Sequence, residues 1–476
     1  MKFNEVLDTI ISSHSVRSID ICNELGIKKS YLSRIRSGSL IPPDFGLIDD
    51  IAKMLDVSPE EYRRLAYTYQ EIKADKKYQT AYKAFNKLYG FDPKCIHYTV
   101  DVKKKLSLTN GQGIYSSNEV RDAILDIIGS GSKLCFFYSP KGSELTEHIA
   151  AKITASAVEV EWLILLEKTN GISNTNIEIL SDSLPLIFAG GVHIKSVYFD
   201  IKEVLELFNF PFYIASEDEL LMFNVKADSA IYFNSSETVN KFRERFSSRF
   251  SDAVSFISAE KDISGFFTHY EDTMHFSQTA KGTEFYIIEK NPCILFEVNT
   301  SDVTEYIRDI EDAREIALKY MVFLQKSSNN VDITYNLFSS EGLGEIVNNN
   351  IYYEISPKLT KPIPKEFRCG ALSKLVDFAN FEEKFQPLII RLPIFDKTYV
   401  STVNLWSDGK MIVFYSTDTS TEILMVNEKS IVTAFIDYYR TLIKSGLIKS
   451  KAETLIDIRK ALDDSDYKGL SQAEQE

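Results

Sequence analysis

Residues 190–200 read GGVHIKSVYFD and set His193, Lys195 and Asp200 in the order H-x-K-x4-D. An imidazole, an ammonium and a carboxylate are groups from which phosphodiester cleavage can be built, with the imidazole as nucleophile or proton carrier. The segment also reads as a β-strand. On a strand, His193, Lys195 and Val197 share one face, while Ile194, Ser196 and Tyr198 share the other. Of the six histidines (His14, His97, His148, His193, His269 and His275), no other begins this pattern.

The spacing resembles that of the phospholipase D superfamily. The resemblance implies a pair of facing motifs in which one His attacks phosphorus and a second protonates the leaving group. The lysines would hold the phosphate and each Asp would orient its His, with a small-residue turn such as Gly-Ser after each motif. Here IKEVLELFNF follows instead, and the segment matches the strand that precedes the expected motif site. The later matching places, FPFYIASEDE and STVNLWSDGK, contain no His. A phospholipase D-like α/β body lacking its catalytic residues, and so no enzyme, is the expectation. The alternative is a DNA-targeted phosphodiesterase that uses His193 in a homodimer.

Other chemical candidates are sparse. SPKGSE (139–144) lies between a strand and a helix, and Ser143 at the helix start marks an anion-binding position or a plain tight turn. No H-E-x-x-H, G-x-S-x-G, G-x-G-x-x-G or metal-ligand spacing occurs, so no cofactor or metal is expected. Cys22, Cys95, Cys135, Cys293 and Cys369 are scattered and form no C-x-x-C pair. They read as buried thiols in a reducing cytoplasm.

The elements that would position a site are clearest at the N-terminus. SIDICNELGIKKSYLSRIRS (18–37) reads as two short helices with Gly26 at the turn. Ile21 and Leu25 fall on the inner face of the first helix, and Leu32 and Ile35 on that of the second. Ile27 enters the second helix, Cys22 is small enough for a close approach, and Ser18 is a suitable N-cap. Phe3, Val6, Leu7, Ile10 and Ile11 stripe a preceding helix. A helix from about Asp44 turns Leu47, Ile48, Ile51, Ala52 and Leu55 inward, and VSPEEY starts another with Ser58 as cap and Pro59 at its first position.

This stretch closely resembles the Cro/lambda-repressor (Xre-type) DNA-binding domain, including SYLSRIRSG across its recognition helix. The family usually has an acidic residue where Arg36 stands. The resemblance implies that Lys28, Lys29, Ser30, Ser33 and Arg34 occupy the outward face of the recognition helix, against base edges in the major groove. Arg17, Lys28 and Arg36 would be phosphate contacts. It also implies double-stranded operator DNA as partner and a homodimer on two half-sites.

Charge agrees with a local rather than a global nucleic-acid surface. The 476 residues carry 54 Lys and Arg against 68 Asp and Glu, a formal net charge of −14. A body that acidic does not coat nucleic acid. Yet residues 25–43 hold four basic side chains and no acidic one. The opening MKFNEVLDTIISSH lacks the pattern of an export signal, and no run of about 18 apolar residues occurs. Neither export nor a membrane span is expected, and the cytoplasm is the expected compartment.

From Glu60 to Leu88 neither Gly nor Pro interrupts a helix-compatible run, a spacer or a dimer seam. Beyond it, KLCFFYS, VEVEWLILL and VHIKSVYF alternate with helices, which predicts a largely parallel sheet. Ser301 to Gln325 reads as a helix, VDITYNLF as a strand, GALSKLVDFA as a helix and FQPLIIRLPIF as a strand region. Residues 216–250 and 407–443 share one pattern: acidic turn, strand, polar loop, strand, amphipathic helix. The expected fold is therefore multidomain: an all-α helix-turn-helix domain (1–72), a helical linker (73–112), two similar α/β halves (113–262 and 263–452) and a helical, acidic tail (453–476). The expected function is a sequence-specific transcriptional regulator, with a small-molecule or protein effector acting on the α/β body. A regulator or specificity subunit in a toxin or phage-defence locus is a third reading.

Overall fold

The computed structural model describes residues 2–73, 76–93, 106–169, 171–199, 209–260, 284–295, 305–308, 313–349, 360–391, 400–416 and 421–465. The protein is a multidomain α/β chain with mixed sheets. It divides into two compact units, neither of which is continuous in sequence. The first comprises Met1–Tyr82, His269–Ser407 and Phe435–Glu476; the second comprises Lys83–Thr268 and Asp408–Ala434.

The first unit begins with five helices: α1 (Phe3–Ser13), α2 (Ser18–Glu24), α3 (Lys29–Arg36), α4 (Gly46–Met54) and α5 (Pro59–Lys73). The apolar stripes decide how they pack. Phe3, Val6, Leu7, Ile10 and Ile11 of α1 are buried, as are Ile48, Ile51, Ala52 and Leu55 from α4 onward. Phe45 and Tyr69 stack in a tilted contact at 5.2 Å, and the Tyr69 hydroxyl donates to Pro42 O at 3.0 Å. Ser58 and Glu61 close the start of α5 reciprocally. The Ser58 amide donates to Glu61 Oε2 at 2.9 Å, and the Glu61 amide to Ser58 Oγ at 3.2 Å. A further helix, α6 (Lys76–Gly90), follows. The run expected as one long helix is thus described as α5 and α6, with residues 74–75 outside the described residues.

The second unit carries the strands β1 (Gln112–Ile114), β2 (Lys133–Phe137), β3 (Glu159–Glu167), β4 (Val192–Phe199), β5 (Phe212–Ala215), β6 (Leu220–Phe223) and β7 (Ala230–Phe233). They are interleaved with α7 (Ser117–Ser130), α8 (Ser143–Ser156) and α9 (Asn174–Ile187), and followed by α10 (Ser236–Asp252). The sheet order is β1-β7-β6-β5-β2-β3-β4. Only β2, β3 and β4 run parallel. The expectation of a largely parallel sheet is corrected here: β5, β6 and β7 are joined by short connections, and a connection that short can link only antiparallel neighbours. Trp162 on β3 is fully buried and donates its indole N–H to Tyr138 O at 2.8 Å. This unit also holds β8 (Ile257–Glu260) and the hairpin of β13 (Lys410–Ser416) with β14 (Thr421–Asn427), and β14 pairs with β8.

In the first unit, β9 (Glu284–Glu289), β10 (Ile333–Ser339), β11 (Phe385–Ile390) and β12 (Val400–Trp406) lie in the order β11-β10-β9-β12. β9, β10 and β11 are parallel, and β12 is antiparallel to β9. Their helices are α11 (Ala313–Asn329), α12 (Ser340–Asn348), α13 (Lys365–Phe381) and α15 (Lys451–Asp464), with α14 (Lys429–Lys444) belonging to this unit from Phe435 onward. Of the helix expected over Ser301 to Gln325, Glu305 and the residues from Ala313 onward are helical, and residues 301–304 and 309–312 lie outside the described residues. Ile307 forms an antiparallel bridge with Thr360 instead. The two segments expected to share a pattern both fold as an antiparallel hairpin followed by a helix: β6, β7 and α10, and β13, β14 and α14.

Candidate nucleic-acid interface

Two short helices joined at a tight turn set out the basic segment. α2 ends with the Leu25 amide on Ile21 O at 3.0 Å, and the Ile27 amide returns to Cys22 O at 3.0 Å. Gly26 between them has φ +63°, a conformation that costs glycine little. Ile21 and Cys22 on α2 and Leu32 and Ile35 on α3 are buried, so four side chains fix the angle between the helices. Leu25 and Ile27 are half-buried. Ser18 is not the cap that its type suggests. Arg17 stands at the N-cap, no side chain caps α2, and the Ser18 hydroxyl accepts from Arg36.

The opposite face of α3 is wet and basic. Lys28, Lys29, Ser30, Ser33 and Arg34 are all exposed. Lys28 is the N-cap of α3, and Lys29 and Ser30 begin its first turn, where free backbone N–H groups and the helix dipole favour an anion. Arg34 projects one turn further along. Two hydroxyls and three long cations on one short helix can donate to phosphates and to base edges alike.

The two flanking arginines sit differently. Arg17 is exposed but paired with Asp20, Nε to Oδ2 at 2.8 Å, and that hydrogen bond raises Arg17 while lowering Asp20 from its ordinary value. Arg36 turns back into the fold. Its Nε reaches Asp8 Oδ1 on α1 at 2.7 Å and its Nη1 reaches Ser18 Oγ on α2. The structure therefore gathers Lys28, Lys29, Ser30, Ser33 and Arg34 on one surface and commits Arg36 to holding α3 against α1 and α2. Nothing in the local pattern of residues 18–37 signals the Asp8 contact, because Asp8 lies 28 residues away.

The H-x-K pair lies on β4, at the end of its sheet. His193 Nε2 is 3.4 Å from Glu159 Oε1, both side chains being exposed. Lys195 Nζ donates to Phe250 O at 2.9 Å and lies 5.0 Å over the Phe250 ring. Asp200 falls outside the described residues. His193 thus faces a carboxylate and Lys195 is used by α10, so the two do not converge on one position for a phosphate. In SPKGSE, the Gly142 amide donates to Asp182 Oδ2 at 2.6 Å, and Asp182 also pairs with Lys87. The place expected as an anion site holds a carboxylate of the chain itself. The described cysteines, Cys22, Cys135, Cys293 and Cys369, are buried thiols, and burial pushes Cys135 up to about 11. Among the described residues, no helix is long and apolar enough to cross a membrane.

No protein-family model matches the chain, and no curated protein matches it. Solved structures align with parts of it, two of them as follows. One is TrmBL2, an archaeal chromatin protein described as showing a novel mode of DNA binding, at 10% identity and TM-score 0.22, covering 31% of this chain and 55% of that one. The other is polyphosphate kinase from Porphyromonas gingivalis, at 9% identity and TM-score 0.22, covering 70% of this chain and 50% of that one. The chain spans about half the length of each. Scores this low do not establish a shared fold.

Proposed function

We propose that the protein is a sequence-specific DNA-binding transcriptional regulator. Residues 1–72 would form a helix-turn-helix domain of the Cro/lambda-repressor (Xre) type, and the α/β remainder would serve sensing or oligomerisation. The observation that carries this reading is the α2–Gly26–α3 unit. Its inward Ile21, Cys22, Leu32 and Ile35 are buried, and its outward face exposes Lys28, Lys29, Ser30, Ser33 and Arg34 in a stretch without acids. On this reading α3 enters the major groove. Ser30, Ser33 and Arg34 address base edges, and Lys28, Lys29 and Arg17 address phosphates. A homodimer would place two such helices on successive half-sites of a double-stranded operator. An effector on the α/β part would change their spacing by favouring one arrangement over another.

Selection from a random duplex library tests this directly. Enrichment of a two-fold-related consensus, with half-site centres about 10 base pairs apart or a multiple of that, is the expected result. A bound pool with no enriched sequence would remove the assignment. The geometry of His193 and Lys195 favours no nuclease reading, and no catalytic role is proposed for them.

A further inference from the structure

The N-terminal helices are fastened to a distant part of the same unit through buried charge. Asp49 on α4 accepts from Lys53 Nζ at 3.0 Å and from the Tyr62 hydroxyl at 3.1 Å. Its third partner is Arg391, which follows β11 and stands 342 residues further along the chain. The side chains of Asp49 and Arg391 are 6% and 8% exposed, so the pair is shielded from water. Arg391 also holds Glu453 on α15 at 3.2 Å, and its backbone amide donates to Leu447 O at 2.8 Å. A second tie is Gln70 Nε2 to the Tyr438 hydroxyl, at 2.7 Å and buried. The third is steric. A Cβ at Gly446, where φ is +73°, would lie 2.7 Å from Asp44 Cβ, so the turn before α15 rests directly against the approach to α4.

We infer that Asp49–Arg391 is a latch that sets the orientation of α1–α5 on the β9–β12 sheet. Breaking a pair this shielded is costly: without Arg391 the Asp49 carboxylate keeps Lys53 and the Tyr62 hydroxyl but loses its buried cation, and without Asp49 the guanidinium keeps Glu453 but loses its buried carboxylate. A flexible tether would instead let the N-terminal helices sample many directions. That this orientation governs DNA binding rests on the reading above; the latch itself does not.

Hydrogen exchange of the full chain, read by mass spectrometry, tests it. Arg391→Ala is expected to make amides of α4 and α5 exchange about a hundredfold or more faster, while β9, β10 and α13 keep their protection. Arg391→Lys, which keeps the charge but loses the fork, serves if the alanine variant does not fold. It is expected to show a smaller acceleration confined to the same helices. Unchanged exchange in α4 and α5, or an equal loss of protection throughout the unit with both variants, overturns the latch. Faster exchange in α4 and α5 beside a wild-type chain that binds no DNA keeps the latch and removes the DNA reading. Unchanged exchange beside intact DNA binding removes the latch alone.

Discussion

Arg36, at the last turn of α3, reaches across to Asp8 on α1, with Nε 2.7 Å and Nη2 2.6 Å from the same carboxylate oxygen. The positive charge that distinguishes this position in the sequence is thereby neutralised inside the fold. It holds the exposed face of α3 at a set angle without adding to it. Arg36→Ala is expected to lower stability by about 1 kcal/mol, the scale of a half-exposed, charge-assisted contact. A double-mutant cycle with Asp8→Ala in thermal unfolding should recover most of that as coupling. In DNA titrations, Lys28→Ala should reduce the slope of log affinity against log salt by about 0.9, and Arg36→Ala should leave the slope unchanged.

Gly26 and Gly38 separate strain from crowding. Both have positive φ, +63° and +75°. A Cβ at Gly26 meets nothing within 4 Å, whereas one at Gly38 would lie 2.9 Å from Asn4 Cγ. Gly26→Ala should cost about 1 kcal/mol from the left-handed backbone alone, and Gly26→Asn less. Gly38→Ala should cost more than Gly26→Ala in the same melting experiment, since Asn4 must also move.

Acid should loosen α5 through Glu61. Hydrogen bonds from the Ser58 amide and then the Ser58 hydroxyl hold its carboxyl below the ordinary glutamate value, and His14 adds a smaller pull in the same direction. A folded-state value below the unfolded one means the stabilisation is present above the ordinary glutamate range. It is lost as pH falls through the lower, folded value. The melting temperature of the wild-type chain should therefore fall more steeply in this acid window than that of Glu61→Gln. Parallel curves would remove Glu61 as a contributor.

Thiol labelling reports on the core. Burial raises Cys135 to about 11, and Cys369 is raised by burial as well. Neither should be alkylated by iodoacetamide at pH 8 in the native chain, and both should react after denaturation, as mapped by peptide mass spectrometry.

What is legible in the sequence is what repeats locally. The stripe Phe3, Val6, Leu7, Ile10 and Ile11 and the set Ile21, Cys22, Leu32 and Ile35 are buried because a helix returns every third or fourth residue to one side. The exposed face of α3 follows from the same period. Ser18 misleads because its type favours a cap, while its hydroxyl is taken by Arg36 from another helix. The alternation of strands and helices suggests a largely parallel sheet in the second unit, although β5, β6 and β7 follow one another with no helix between them. Asp49 and Arg391 cannot be paired by any local rule, since only tertiary packing brings positions 342 residues apart together. Asp49 carries one signal: an acid on the inward side of an apolar stripe, beside Ile48 and Ala52, needs a buried partner.

The most direct test replaces Lys28, Lys29 and Arg34 together with Ala and compares binding to DNA from the protein's own upstream region, by anisotropy and gel retardation with divalent metal present. The wild-type chain should bind intact duplex in a salt-sensitive way, competed only by the same sequence, and His193→Ala should bind equally well. The triple variant should lose at least about a hundredfold in specific affinity, in keeping with the loss of one base contact and two phosphate contacts per α3. Specific affinity retained by the triple variant, or cleavage of the DNA that disappears with His193→Ala, would contradict the account.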